Sequence, residues 1–333
     1  MLFQDELKSA VLQVEPSNFE DLALAIFRFQ AAQNPVYKQY LAYRKVQPET
    51  VSQLKDIPFL PISLFKTHRI ITADAQTKQI FESSGTTGQT TSRHFVSDLG
   101  FYEAISEQIF EQQYGLLSNF HILALLPSYL ERNNSSLVYM VQHFMKKSTS
   151  KYNGFYLNNY QNLHENLNEI TNGDKPVLLM GVTFGLLDLI ENFEMKGFEK
   201  RLIVMETGGM KGRRREMIRE EVHDLLCTGF GLEKIHSEYG MTELLSQGYS
   251  KGDGVFDLPP SMRILFREVT DPLDVSHRTS RSSSGLNVID LANIDSCCFV
   301  ETQDLGSLSA DNQLKILGRF DNSDVRGCNL MAL

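Results

Sequence analysis

Three apolar runs constrain this chain more than anything else in it. They are His121–Ile122–Leu123–Ala124–Leu125–Leu126, ended by Pro127, then Val177–Leu178–Leu179–Met180–Gly181–Val182, then Arg201–Leu202–Ile203–Val204–Met205. Each is the length of a strand, and each lacks the polar alternation of a strand with one wet face. Strands apolar on both sides need helices over both sheet faces, so these runs, separated by helical segments, predict an α/β fold with a largely parallel sheet. Helices are expected over Phe101–Phe110, from Leu137–Val141 onward, and between the second and third runs. In such sheets ligands sit beyond the carboxyl ends of the strands. Four polar or glycine-rich segments fall just after apolar runs: the one after Leu126, Glu206–Gly212, Ser237–Glu243 after a Lys234–Ile235–His236 strand, and Glu301–Gly306 after Cys298–Phe299–Val300.

A fifth segment is denser in chemistry. Ser83–Ser84–Gly85–Thr86–Thr87–Gly88–Gln89–Thr90–Thr91–Ser92 combines two glycines with a run of hydroxyls, then enters Arg93–His94–Phe95–Val96. Glycines open the backbone to a ligand, and hydroxyls with consecutive N–H groups bind anionic oxygens. On composition alone this is equally a phosphate-wrapping loop or a polar hairpin turn. The Walker pattern is absent.

Composition narrows the class. A net charge of −9 on 333 residues argues against a general nucleic-acid binder. The start, Met1–Leu2–Phe3–Gln4–Asp5–Glu6, lacks a basic region followed by an apolar core, and no apolar stretch is long enough to span a bilayer. Four cysteines, Cys227, Cys297, Cys298 and Cys328, form neither a disulfide framework nor a zinc pattern, so a cytoplasmic location is expected. Residues 1 to about 70 read as mainly helical, with a capping box at Ser17 and Glu20 and an extended connector at Ile57–Ile62. Val269–Gly285 reads as an exposed loop. Arg213–Arg214–Arg215 begins a helix with acidic partners, a solvated face rather than a nucleic-acid patch, and His94 and His143 read as packing or solvent residues.

Four motifs in order give the chain a resemblance: Ser83–Gly88, then Tyr239–Gly240–Met241–Thr242–Glu243, then Asp304 in Gln303–Asp304–Leu305–Gly306, then Gly318–Arg319–Phe320–Asp321 leading to Arg326–Gly327–Cys328. Together they resemble the adenylate-forming enzymes, and more narrowly the acyl-protein synthetase (LuxE) family with its relatives among phenylacetate ligases. The resemblance implies the large domain of an adenylate-forming enzyme, with mixed and parallel sheets, over 1–317, and a hinge-like motif and tail over 318–333. It implies ATP with Mg²⁺, and a fatty or other carboxylic acid as substrate. Ser83, Ser84, Gly85, Thr86, Thr87 and Gly88 would hold the pyrophosphate. Thr207, Gly208 and Gly209 would lie along the adenine and acyl pocket. Tyr239, with Gly240, would meet adenine, Thr242 the α-phosphate, Glu243 the metal, Asp304 the ribose, and Arg319 the ribose or phosphate. For each of these the plain structural role stays open: a core aromatic for Tyr239, a helix-start carboxylate for Glu243, a turn residue for Asp304, a surface pair with Asp321 or Asp324 for Arg319.

Two departures from the family of adenylating ligases stand out. The proline-lysine after the glycine loop is replaced by Gln89–Arg93, where Arg93 can supply the charge, though arginine and lysine are not interchangeable. The sequence also ends at Leu333, where ligases continue into a mobile lid carrying a lysine; the short form is that of the acyl-protein synthetases. That branch implies Cys328, five residues from the end, as acceptor of the acyl group, with Arg326 lowering its thiol pKa. Tyr129, Ser135, Ser136 and Met180–Phe184 are candidates for the acyl pocket, and Lys211 for a phosphate contact. A partner reductase or acyl carrier would receive the acyl group. Two other readings remain open: an ATP-independent acyltransferase drawing on a thioester donor, and a nucleotide-binding subunit of a biosynthetic complex without turnover.

Overall fold

The computed structural model describes residues 2–83, 90–126, 134–157, 159–170, 173–195, 197–198, 201–208, 217–277, 283–309, 311 and 313–320. Helices α1 (Leu2–Leu12), α2 (Phe19–Gln33) and α3 (Pro35–Tyr43) open the chain, as the sequence predicted for this region. The capping box does not form. Asn18 occupies the cap of α2, and its side chain accepts from the Glu15 N–H instead, closing the turn before the helix. Buried Gln30 of α2 ties this helical layer to the other end of the chain. Its amide donates to the carbonyls of Asn293 and Ile294 (2.8 and 2.9 Å) and accepts from the Cys298 N–H. Lys8 of α1 sits 2.9 Å from both Asp98 and Asp295.

Strand β1 (Leu60–Pro61), inside the expected connector, pairs in parallel with a much later strand. Strands β2 (Gln79–Glu82) and β3 (Arg93–Val96) form an antiparallel hairpin whose tip is the glycine- and hydroxyl-rich segment. The segment therefore connects two antiparallel strands, as the hairpin reading expected. Residues 84–89, with Ser84, Gly85, Thr86, Thr87 and Gly88, lie outside the described residues.

The apolar runs form the parallel sheet. Strands β4 (His121–Leu125), β5 (Gly154–Phe155), β6 (Val177–Gly181), β7 (Leu202–Glu206) and β8 (His236–Tyr239) run parallel in the order β5-β4-β6-β7-β8, and β9 (Gly248–Ser250) closes the edge antiparallel to β8. Every residue of β6 is buried. The helices between them are α4 (Leu99–Tyr114), α5 (Ser136–Ser148), α6 (Tyr160–Ile170), α7 (Thr183–Asn192) and α8 (Arg219–Phe230). Side chains alternate along β8: His236 hydrogen-bonds Tyr114 of α4, and the next residue, Ser237, meets His223 of α8. The two helices thus cover opposite faces, as apolar strands require.

A second, mainly antiparallel sheet of seven strands follows: β10 (Val255–Phe256), β11 (Met262–Arg267), β12 (Val275–Ser276), β13 (Ser284–Asp290), β14 (Phe299–Leu308) and β15 (Leu314–Arg319), with β1 joining β14. Here the strand bounds differ from expectation. The strand expected at Lys234–His236 is β8, which begins at His236 and includes Ser237, Glu238 and Tyr239. The segment Glu301–Gly306, expected after a strand, lies inside ten-residue β14. Both were misplaced because the strands carry polar side chains that find partners only in the folded protein. The segment expected as a loop before Gly285 contains β12 and the start of β13; residues 278–282 lie outside the described residues, as do Lys211 and Arg213–Arg215.

Candidate active site

The site lies where the three sheets meet, around the turn that follows β8. Thr242 and Glu243 on this turn are held from three directions. From the hairpin, His94 donates its Nδ1–H to the Thr242 carbonyl at 2.8 Å, which fixes the ring tautomer because a carbonyl only accepts. Burial pushes this imidazole down to about 4, so it is neutral at pH 7. From the stretch after β13, the Asn293 amide donates to the Glu243 carbonyl at 2.8 Å. From the end of β13, the Asp290 carboxylate collects four donors. Its Oδ2 accepts from the N–H groups of Leu245 (2.8 Å) and Ser246 (3.0 Å), and its Oδ1 from the Ser246 hydroxyl (2.6 Å) and the Ala292 N–H (3.0 Å).

Glu243 is 5 % exposed. Burial raises its carboxyl pKa, and the Ser92 hydroxyl, hydrogen-bonded to it, and the Arg319 charge oppose that rise. Ser92 in turn is fastened to Ser83 by two bonds across the hairpin: the Ser92 N–H to the Ser83 hydroxyl (2.9 Å) and the Ser83 N–H to the Ser92 carbonyl (3.1 Å). The base of the hydroxyl-rich turn and Glu243 are therefore one constellation. Arg93 is not part of it. It is exposed on β3, with its guanidinium over the Phe95 ring, on the strand face opposite His94.

On the other side of the turn, Tyr239, Asp304 and Arg319 come together across the two large sheets. The Tyr239 hydroxyl donates to Asp304 Oδ2 at 2.8 Å, and Arg319 Nε donates to Asp304 Oδ1 at 2.8 Å. Tyr239 and Asp304 are buried, whereas the Arg319 side chain is 68 % exposed. Each Asp304 oxygen keeps a free lone pair for a further donor. Arg319 ends β15 after Gly318, at φ 147°, and the chain from 321 onward lies outside the described residues.

At the end of β7, Glu206 turns the chain into Thr207 and Gly208. Its carboxylate accepts from the Gly208 N–H (2.7 Å) and the Thr183 hydroxyl (3.2 Å), and stands 3.5 Å from Arg219 and 3.6 Å from His223. Gly208 adopts φ 75°, a backbone conformation that favours glycine. Thr207 is pinned by its N–H to the Gly181 carbonyl at 3.0 Å. Gly209 lies outside the described residues, and so do Tyr129 and Cys328. Of the acyl-pocket candidates, Ser135 caps α5, accepting from the Val138 N–H, and the Ser136 carbonyl accepts from Tyr102, so both serve the helix start. Met180, Val182 and Phe184 are core residues, and Thr183 reaches Glu206. His94, expected as a packing or solvent residue, is buried and holds the Thr242 carbonyl in place.

The oxygen set suits a magnesium ion shared with phosphate. Glu243 offers one carboxylate, hydrogen-bonded by the Ser92 hydroxyl, with the Ser83 hydroxyl bonded in turn to the Ser92 N–H. Among the described residues no three His, Cys, Asp or Glu side chains form a metal cage. Magnesium is commonly held by one or two carboxylates together with substrate phosphates.

Comparison with known proteins gives a consistent picture. A family model described as acyl-protein synthetase, LuxE, matches residues 12–332. A long-chain-fatty-acid–luciferin-component ligase from Vibrio harveyi is 22 % identical over 99 % of this chain and 91 % of its own. Among solved structures, ATP-bound MatB from Rhodopseudomonas palustris superposes with a TM-score of 0.52 at 14 % identity, over 74 % of this chain and 50 % of that one. O-succinylbenzoate coenzyme A synthetase (MenE) from Bacillus subtilis, in complex with AMP, gives 0.51 at 15 % identity, over 76 % and 64 %. The chain thus spans less than two thirds of either solved chain, and these likenesses describe the fold.

Proposed function

The chain belongs to the acyl-protein synthetase (LuxE) family, and on that premise we propose that it activates a fatty acid with ATP and carries the acyl group on its own Cys328. The observation that carries the reading is the joining of hairpin, Thr242–Glu243 turn and Asp304–Arg319 pair at one junction. Ser83 and Ser92 at the base of the hairpin stand beside the buried Glu243 carboxylate, and the Asp304–Arg319 pair lies on the other side of the Thr242–Glu243 turn. This is the layout needed to stretch a nucleoside triphosphate across a sheet end.

In the first step a carboxylate oxygen of the acid attacks the α-phosphorus, and the bond to the leaving pyrophosphate breaks. The Thr242 hydroxyl and donors of the Ser83–Gly88 segment would take up the charge that shifts outward. Glu243 would hold the magnesium ion, which supplies neutralising charge to the phosphates when bound. Asp304, steadied by Tyr239 and Arg319, accepts from the ribose hydroxyls, and Tyr239 borders the adenine with Gly240. Thr207 and Gly208 line the opposite wall. Ser84–Gly88 and Gly209, which the resemblance assigns to these walls, lie outside the described residues.

In the second step the Cys328 thiolate attacks the acyl carbon, a C–S bond forms, and AMP leaves with the electron pair of the acyl–oxygen bond. The other cysteines are poor acceptors. Burial pushes the Cys297 thiol up to about 12, and raises those of Cys298 and Cys227 too, so none is poised as a thiolate. A reductase or acyl carrier then receives the acyl group.

Intact-protein mass spectrometry tests this directly. Wild type and Cys328→Ala are incubated with ATP, Mg²⁺ and a panel of fatty acids. The expected result is a hydroxylamine-labile acyl adduct that requires ATP and is absent from the variant. An adduct that persists in Cys328→Ala, or no adduct with any acid, refutes the assignment.

A further inference from the structure

Strand β14 is irregular at Asp304, and a buried arginine from another strand repairs the irregularity. Strands β13 and β14 pair Gly285 with Leu305 and Asn287 with Glu301. Between these pairs β13 has a single residue, Leu286, whereas β14 has Thr302, Gln303 and Asp304. The ladder is broken over this bulge, a device that re-aims a side chain and is common beside active sites. The freed backbone groups need other partners, because a buried carbonyl or N–H left unpaired costs about as much as a lost hydrogen bond. Thr302 Oγ1 donates to the Leu286 carbonyl at 2.8 Å and accepts from the Asp304 N–H at 3.1 Å. The Gln303 carbonyl accepts from the Phe320 N–H at 2.8 Å. The Thr302 carbonyl accepts from Arg267 at 2.7 Å.

Arg267 reaches the bulge from the end of β11. It is paired with Gly285 of β13, and its side chain lies across that glycine: a Cβ at position 285 would stand 2.8 Å from Arg267 Cζ and 2.9 Å from its Cγ. Glycine at 285 thus lets the arginine pass over β13. Beyond it the guanidinium spreads its donors over two strands. Nη1 donates to the Leu286 carbonyl at 3.1 Å and to Asn287 Oδ1 at 2.9 Å, and Nη2 serves the Thr302 carbonyl. The Phe320 ring lies 5.5 Å from Cζ, and the Glu301 carboxylate 4.0 Å from Nε. Arg267 is buried, and burying a charge is a costly way to stabilise a sheet that apolar side chains could fill. What the guanidinium adds is a rigid fork of planar donors, which a lysine ammonium cannot imitate.

We propose that Arg267, acting with the Thr302 hydroxyl, is a positioning residue for nucleotide selection: it holds the β14 bulge in the geometry that presents the Asp304 carboxylate to the ribose hydroxyls. This inference rests on the assignment of Asp304 to the ribose in the reading above. The line of contacts is short. Arg267 fixes Thr302 through its carbonyl, and Thr302 fixes Asp304 through its N–H. Arg319 bonds the Asp304 carboxylate, and the next residue, Phe320, bonds Gln303 in the middle of the bulge. Without the guanidinium the Thr302 carbonyl loses its donor and the bulge relaxes toward regular pairing. Successive strand residues face opposite sides, so a slip of one residue carries the Asp304 carboxylate away from Tyr239 and off the site.

The experiment measures binding of ATP and of dideoxyATP, which lacks both ribose hydroxyls, by equilibrium dialysis with Mg²⁺. It compares the full-length wild type with Arg267→Lys and Thr302→Val. Wild type is expected to prefer ATP by about tenfold or more, the worth of hydrogen bonds to a charged acceptor. Arg267→Lys keeps the charge but cannot span the bulge. Its affinity for ATP is expected to fall to that for dideoxyATP, while dideoxyATP binds as it does to wild type. Thr302→Val keeps the guanidinium and the shape of residue 302, and is expected to lose the preference in the same way, so the test stands even where Arg267→Lys does not fold. A merely structural arginine would weaken both nucleotides alike or neither. Preference for ATP retained in a folded variant, or equal weakening of the two nucleotides, overturns this inference and leaves the ribose assignment standing. A wild type that shows no preference, or that binds neither nucleotide, refutes the ribose assignment itself and this inference with it.

Discussion

Replacing Glu206 by glutamine removes the one firmly ionised group at the end of β7 while keeping its shape. The carboxyl is held at about 2, against an ordinary 4.5. That difference, at about 1.4 kcal/mol per pH unit, is roughly 3 kcal/mol of stability at pH 7. The figure fits the contacts: Arg219 at 3.5 Å, His223 at 3.6 Å and the Gly208 N–H at 2.7 Å would face a neutral amide. Removing one partner of a buried charge pair costs a comparable few kcal/mol. The sign follows from the direction. A carboxyl whose folded pKa is depressed stabilises above its unfolded value and loses that contribution as pH falls, here between about 4.5 and 2. Urea unfolding of wild type and Glu206→Gln at pH 7, 5.5, 4 and 3 should show a gap of about 3 kcal/mol that is constant to pH 5 and narrows below it. A gap under about 1 kcal/mol at pH 7, or one that does not narrow on acidification, would mean that Glu206 is not held ionised by its neighbours.

Two further outcomes follow from the bonds at the junction. In Asp290→Asn, whichever way the amide turns, two of the four donors on Asp290 face an NH₂ group; at about 1–3 kcal/mol each the loss is about 2–6 kcal/mol in urea unfolding, and a loss under 1 kcal/mol would show that the turn does not hang from this carboxylate. Tyr239→Phe removes one of the two donors on Asp304 while keeping the ring; ATP should bind about tenfold or more weaker by equilibrium dialysis, as expected for a hydrogen bond to a charged group at about 1.5–3 kcal/mol, and unchanged affinity would separate Asp304 from the nucleotide.

Much of this architecture was legible because of apolar patterning. The runs at Ile122, Val177 and Leu202 could be buried only as central parallel strands, and they are β4, β6 and β7. The glycine and hydroxyl cluster, open between a phosphate loop and a plain hairpin turn, connects the paired strands β2 and β3. Where strands carry polar residues the patterning failed. Ser237, Glu238 and Tyr239 look like loop chemistry but extend β8, and Thr302 and Asp304 look like a turn but lie within β14. Their side chains are paid for by partners tens of residues away, such as His223 for Ser237 and Arg319 and Tyr239 for Asp304.

The sequence by itself determined the α/β class and the family, because burial on both sheet faces and short motifs are local properties that no packing arrangement erases. Only the tertiary structure decided what surrounds each carboxyl of the site. Glu206 and Glu238 are the same residue type at the carboxyl ends of adjacent strands, β7 and β8. Glu206 meets Arg219, His223 and a backbone N–H, whereas Glu238 lies on the opposite sheet face beside Tyr249 of β9. A protonation state depends on distances across the fold, and those distances are set by sheet order and helix packing rather than by neighbours in the chain.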